Sequence, residues 1–172
     1  MNAIELDYLG ISAKDLSFYE EIGLIAPTIN PDYSKNYSQE DESYIKQLLI
    51  LTKLAVPMHD ALQAIRHELP LDEILQTTLD QQKKDNNAPE GPIRFLRELL
   101  NAHVTIDTLD VDRYWEDITR AEANGISFHM TSAEAENLSR IEASAFHDVL
   151  LFFVIVAILS CVIISVFLHT AC

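Results

Sequence analysis

Apolar residues recur at intervals of three and four along the first third of the chain, which predicts short amphipathic helices. Two of these helices begin at capping-box signals, Ser12 with Asp15 and Ser38 with Asp41, where a serine and an acid three residues apart can bind each other's backbone N–H groups. Pro57 suits the first turn of a further helix. The predicted helices cover residues 4–9, 12–22, 38–54 and 57–65.

The stretch between the second and third predicted helices is expected to be a loop. Pro27 and Pro31 interrupt regular structure there, and residues 30–36 are rich in turn formers. Two helices joined by a tight turn, followed by an aromatic loop and two more helices, form the element order of a winged helix-turn-helix. We therefore predict a mainly α fold that begins with such a head.

Three more apolar stripes at helical spacing follow, within residues 71–79, 93–100 and 114–121. The turn-rich residues 83–92 separate the first stripe from the second, so the two helices can pack on each other. Thr131 offers another helix start, and that helix could continue without a break into the apolar run described next. We expect residues 1–69 to form the head and residues 70–147 a helical connector.

Residues 149–168 contain no charged residue, no proline and no glycine. A helix of this length spans about 30 Å, the hydrocarbon thickness of a bilayer. A buried core helix is the alternative, but such helices usually keep a polar stripe. We expect residues 148–172 to be a C-terminal transmembrane helix that crosses a cell membrane once. Arg140 precedes the run and His169 follows it, a slight charge bias that places the head in the cytoplasm.

All 27 acidic and 12 basic residues precede the apolar run, so the formal charge of −15 belongs to the polar part of the chain. Nucleic acid and anionic lipid repel such an acidic body at long range, which argues against a polybasic lipid clamp and against indiscriminate phosphate binding. Residues 1–60 alone contain four lysines, no arginine and ten acidic residues, a net charge of −6. Any contact with DNA must therefore come from a local patch.

Residues 10–27 resemble the recognition helix and first wing of MerR-type transcription regulators, whose usual form there is GVSxRTLRYYEEIGLLxP. The most specific part is FYEEIGLIAP, residues 18–27. YSQED at residues 37–41 is similar to the YSEED that opens the family's third helix. LAVPM at residues 54–58 lies where the family has the sequence LGFSL. The resemblance covers residues 4–65 and implies a bacterial regulator whose recognition helix enters the major groove.

The resemblance also implies a set of DNA contacts, with the recognition helix at base edges and the wing at phosphates. The family's first arginine falls on Lys14, which keeps the charge but loses the bidentate fork that binds guanine, and the second falls on Ser17. Lys35 is the only candidate for the wing arginine. The implied DNA-binding residues are Ser12, Lys14, Ser17, Tyr19, Tyr33, Lys35 and Tyr37.

Members of this family dimerise through a long helix that follows the head. Here Pro70 and the turn at residues 83–92 shorten that helix. Two interpretations remain: the segment is a truncated dimerisation helix, or it is a helical hairpin that has no partner chain. A homodimer would double the number of lysines that can contact phosphates. The expected partners are DNA, the membrane and a second copy of the chain, and the sequence specifies no effector.

The sequence carries no signature of catalysis or cofactor binding. Four glycines in the whole chain are too few for a phosphate-cradling loop, and the six histidines are dispersed. Cys161 and Cys172 both lie within or after the apolar run, so the cysteines that sense metals in some relatives have no counterpart in the polar part. We expect no cofactor, no metal and no enzyme activity.

Two functions are compatible with these features. The first is a membrane-anchored, MerR-like DNA-binding transcriptional regulator. The alternative is a membrane-tethered protein-interaction module whose degenerate head no longer binds DNA, an alternative that the negative charge of the head favours. The two differ in one respect: replacing Lys14 and Lys35 by Glu should abolish DNA binding under the first and leave partner capture intact under the second.

Overall fold

The computed structural model describes residues 1–129, and this part of the chain is mainly helical, as predicted. In chain order the elements are a 3₁₀ helix (Ala3–Leu9), helix α1 (Ala13–Glu21), strands β1 (Thr28–Ile29) and β2 (Lys35–Asn36), helices α2 (Gln39–Lys53), α3 (Met58–Ile65), α4 (Leu71–Gln82) and α5 (Glu90–Asn101), a 3₁₀ turn (Ile106–Thr108) and helix α6 (Val111–Ala123).

No helix within residues 1–129 is both long enough and apolar enough to cross a bilayer. The predicted anchor, residues 148–172, lies outside the described residues. The helix start predicted at Thr131 and its unbroken continuation into the apolar run also lie outside the described residues.

Both predicted capping boxes are confirmed, which explains where α1 and α2 begin. The hydroxyl of Ser12 accepts a hydrogen bond from the backbone N–H of Asp15 at 3.2 Å, and the Asp15 carboxylate accepts one from the backbone N–H of Ser12 at 2.8 Å. Ser38 and Asp41 repeat the arrangement with distances of 3.0 and 2.8 Å. Two backbone donors at each helix start are thereby satisfied by side chains three residues apart.

A short antiparallel hairpin occupies the segment predicted to be a loop. Thr28 pairs with Asn36 and Ile29 with Lys35, and we refer to residues 28–36 as the hairpin. Its tip is closed by a backbone hydrogen bond from Asn30 to Ser34 at 2.8 Å. Strands of two residues are too short to show an alternating pattern, so they could not be predicted from the sequence.

Helix α2 is the centre of the hydrophobic core. Every residue from Ile45 to Leu51 is buried, because α2 packs against both α3 and α6. Helical spacing predicts an apolar face on this helix that does not include Ile50, which is fully buried; the predicted face consists of Ile45, Leu48, Leu49, Thr52 and Leu54. The additional burial follows from α6, which comes from the segment predicted to be a separate connector.

Contacts across the predicted boundary at residue 69 join the head to the connector. The Gln47 side-chain amide donates to the Ile106 carbonyl at 3.2 Å, and the backbone N–H of His129 donates to the Lys53 carbonyl at 3.2 Å. All described residues consequently belong to one compact unit, Met1–Ala133.

Helices α4 and α5 pack against each other, as the two apolar stripes predicted. Pro70 immediately precedes α4, and the turn-rich segment after Gln82 separates the two helices. Gly91 in the first turn of α5 is required by close packing, since a Cβ atom there would lie 2.6 Å from the Ser127 carbonyl oxygen. Phe95 and Phe128 extend this contact, with ring centroids 5.6 Å apart.

Candidate nucleic-acid interface

Helix α1 presents one exposed stripe at helical spacing. The 3₁₀ helix that precedes α1 ends at Leu9. Gly10 follows with a φ of +68°, which glycine adopts without strain, and the Ser12 cap then starts α1. The exposed stripe consists of Lys14, Ser17, Phe18 and Glu21. This surface therefore combines a cation, a hydroxyl, an aromatic ring and an acid.

Two predicted contact residues, Ser12 and Ser17, use their hydroxyl groups within α1. The Ser12 hydroxyl donates to the Asp15 carboxylate at 2.5 Å, and the Ser17 hydroxyl donates to the Ala13 carbonyl at 3.0 Å. Ser12 is half-buried, whereas Ser17 is exposed and its oxygen can still accept a hydrogen bond. Ser17 is thus the better placed of the two for contact with a ligand.

Tyr19 and Tyr37 lie in the core and not on the predicted contact surface. Only 4% of the surface of Tyr19 and 3% of that of Tyr37 is exposed to solvent. Burial and the nearby Asp15 carboxylate raise the pKa of Tyr19 to about 12. Burial, together with a hydrogen bond to Glu20, raises the pKa of Tyr37 to about 12 as well. Both side chains therefore belong to the core beside α1 and the hairpin, and little of either is left for a ligand to contact.

The hairpin carries the two remaining predicted contacts, Tyr33 and Lys35. Tyr33 is at the tip, 89% exposed, with a φ of +64°. The Lys35 ammonium group lies 2.7 and 2.9 Å from the two carboxylate oxygens of Glu20 on α1. The structure thus places Lys35 beside α1 but already in an ion pair.

Glu20 joins α1 to the hairpin through two donors. Besides the Lys35 ammonium group, its Oε1 atom accepts a hydrogen bond from the Tyr37 hydroxyl at 3.0 Å. Because Lys35 and Tyr37 lie on and directly after β2, this one carboxylate fixes the hairpin against the C-terminal part of α1. The spacing between the exposed stripe of α1 and the hairpin is set by this contact.

The other two lysines of residues 1–60 face the core. Lys46 binds Asp112 at 2.6 Å and Glu42 at 2.7 Å, and Lys53, 2% exposed, binds Glu122 at 2.5 Å. Burial lowers the pKa of Lys46, but the hydrogen bonds to both carboxylates outweigh it and the pKa is raised. Lys35, Lys46 and Lys53 are therefore each engaged with acidic residues of the same chain.

Sequence reasoning missed Phe18 and Glu20. Phe18 lies four residues after Lys14, so helical spacing alone could have placed the two on one face. Glu20 gave no such signal, because its partner Lys35 is 15 residues away on a hairpin that the sequence did not reveal. Within residues 1–129, no group of three His, Cys, Asp or Glu side chains is arranged to hold a metal ion.

No family model matches this chain, and neither a curated protein nor a solved structure matches it. The resemblance to MerR-type regulators depends on the motif residues quoted above.

Proposed function

We propose that the chain is a MerR-like DNA-binding transcriptional regulator whose winged helix-turn-helix head, residues 1–69, is held at a bacterial cell membrane by residues 149–168. The observation that carries the proposal is the arrangement of the head. A helical segment, a glycine turn and the serine-capped α1 are followed by a hairpin that one carboxylate fixes against α1. In such heads the second helix enters the major groove while the wing lies along phosphates.

The exposed stripe of α1 supplies the groups for contact with the major groove. Lys14 can bind a guanine edge or a phosphate, and Ser17 can accept from or donate to several base edges. Phe18 offers an apolar surface that suits the methyl group of thymine. Tyr33 at the tip of the hairpin is positioned to donate a hydrogen bond to the DNA backbone.

The charge of the head limits how tightly it can bind. Phosphate contacts supply most of the affinity of DNA-binding proteins, and each contact releases about 0.9 counterion. With a net charge of −6 over residues 1–60, the head is repelled by DNA except at the exposed stripe and the hairpin. We therefore propose weak binding by one copy and tighter binding by a homodimer, which would present two heads to a pair of half-sites.

Selection of DNA from a random-sequence duplex library with full-length protein tests the proposal. We expect enrichment of a common sequence element and its loss in the Lys14→Glu variant, which reverses the charge on the exposed stripe. Lys84→Glu is the matched control, since Lys84 is an exposed lysine after α4 and outside the head. A library that stays random with wild-type protein, or equal enrichment by Lys14→Glu, would contradict DNA recognition by α1.

A second candidate function is a membrane-tethered protein-interaction module. The ion pairs of Lys35, Lys46 and Lys53 favour it, because they leave an acidic surface that also exposes the apolar side chains of Ile29 and Phe18. The chemistry of such a surface suits a basic partner with apolar side chains. Under this function, Lys14→Glu combined with Lys35→Glu retains partner capture, whereas a DNA-binding head loses its ligand.

A further inference from the structure

Glu20 holds the cation of the hairpin that a DNA-binding wing would present to phosphate. Its carboxylate receives the Lys35 ammonium group at 2.7 and 2.9 Å and the Tyr37 hydroxyl at 3.0 Å. These are charge-assisted hydrogen bonds to an anion, supplied by a β-strand and the residue after it. The donor set is therefore already assembled around a negative charge.

Of these two donors, the Lys35 ammonium group is the one that a phosphate can reach, because its side chain is 42% exposed whereas Tyr37 is buried. A lysine ammonium group binds phosphate as a point charge. A DNA phosphate that approaches the hairpin would compete with Glu20 for Lys35. The affinity for DNA then depends on how readily the ion pair between Lys35 and Glu20 dissociates.

The ion pair is exposed enough to exchange its anion. The Lys35 and Glu20 side chains are 42% and 22% exposed, so water reaches both groups. Pairs of this kind are weak and are screened by salt. Separation of Glu20 from Lys35 therefore leaves both charged groups in contact with water.

We propose that Glu20 is an internal competitor for DNA phosphate, which occupies Lys35 in the free protein and keeps the affinity of the head for DNA low. The inference rests on the proposed function of the head. It assigns Glu20 a positioning role, through Lys35, in addition to fixing the hairpin on α1.

The experiment replaces Glu20 by Gln in the full-length chain, kept in non-ionic detergent. Gln retains an oxygen for the Tyr37 hydroxyl but removes the negative charge. Binding is measured by the anisotropy of a fluorescein-labelled duplex of mixed sequence over a series of salt concentrations. One added phosphate contact should strengthen binding about fivefold to tenfold at moderate salt and steepen the slope of log K against log salt by about 0.9.

Lys35 supplies the decisive control. In a Lys35→Gln background, Glu20→Gln should no longer steepen the salt slope, and the double variant should bind about as weakly as wild type. Glu73→Gln removes the same charge from an exposed position on α4 and should leave the slope unchanged. A gain that is the same with and without Lys35, or the same in Glu73→Gln, would overturn the inference, because it would show a general effect of net charge.

Fluorescence of Trp115, the single tryptophan of the chain, verifies that each variant is folded. If Glu20→Gln does not fold, Glu20→Ala carries the same expectation. Binding by wild type with no gain in either Glu20 variant overturns the inference and leaves the proposed function standing. If only the Glu20 variants bind DNA, the inference is supported and the native head does not bind DNA unaided. If neither wild type nor any variant binds DNA, both the inference and the proposed function are overturned.

Discussion

Asp41 connects the start of α2 to the loop that follows α1. Its carboxylate binds the Ser38 cap and also accepts a hydrogen bond from the backbone N–H of Ala26 at 2.9 Å. Burial raises the pKa of Asp41, but the hydrogen bonds from Ala26 and Ser38 outweigh it and hold the pKa below its ordinary value. The ionised carboxylate is thus the form that the folded chain binds best.

This lowered pKa predicts a pH-dependent contribution to stability. Because the folded-state pKa lies below the unfolded value of about 4, the contribution is fully present above that value and is lost as the pH falls through the folded-state pKa. We expect Asp41→Asn to lower the free energy of unfolding by about 1–3 kcal/mol at neutral pH and by much less in acid. Denaturant unfolding followed by Trp115 fluorescence across this range measures the difference.

Glu40→Gln is the matched control for Asp41→Asn, because Glu40 is an exposed acid in the same first turn of α2. It should change stability by less than about 0.5 kcal/mol at every pH. A deficit of Asp41→Asn that does not vary with pH would show that the carboxylate's charge contributes nothing and that only its shape matters.

For single residues, the sequence predicts those contacts whose partners lie a few positions apart in the chain. The Ser12 and Ser38 caps were predictable because both partners of each box lie three residues apart. Helical spacing places Tyr19 on the same face of α1 as Leu16, so its burial was predictable, whereas the burial of Tyr37 depends on its contact with Glu20 and on the hairpin, which no local pattern encodes. The family resemblance implied both tyrosines as DNA contacts and carries no information on their burial.

The contact between α2 and α6 is the main feature at the scale of elements. Lys53 on α2 is 2% exposed and pairs with Glu122 on α6, while the half-buried Glu42 and the exposed Asp112 pair with Lys46. A buried ammonium group is costly unless a charged partner compensates it. The Lys53–Glu122 and Lys46–Asp112 pairs join the two helices and therefore specify where α6 docks on α2.

We expect Glu122→Gln to lower the free energy of unfolding by about 1–3 kcal/mol, because the buried Lys53 loses a charged acceptor. Glu116→Gln, on the exposed surface of α6, is the control and should change stability by less than about 0.5 kcal/mol. Chemical denaturation of both variants gives the comparison. Equal stability of the two would mean that the charge of Glu122 contributes nothing to the docking of α6.

Helices with a clear apolar stripe were predictable, and α4, α5 and α6 occur where the stripes placed them. The hairpin was not, because its strands contain two residues each. The burial of α2 on more than one side was not predictable either, since it needs α6, more than fifty residues further along the chain. Local periodicity shows which residues form a helix but not which elements cover it.

At the scale of the whole molecule, the head and the first part of the connector fold as one unit. We propose that the apolar residues 149–168, which follow the described part, hold this acidic unit at a membrane. Full-length protein should then stay with membranes through carbonate extraction, and a chain truncated after residue 145 should be released. Release of the full-length protein would exclude the anchor, and retention of the truncated chain would show that another part binds the membrane.

Binding of duplex DNA as a function of salt tests most directly whether α1 and the hairpin form a DNA interface. With few usable cations, full-length protein should bind with a slope of log K against log salt between about −1 and −3, and Lys14→Glu should reduce both the affinity and the slope. Absence of binding at low salt, or binding that Lys14→Glu leaves unchanged, would contradict DNA recognition by this head.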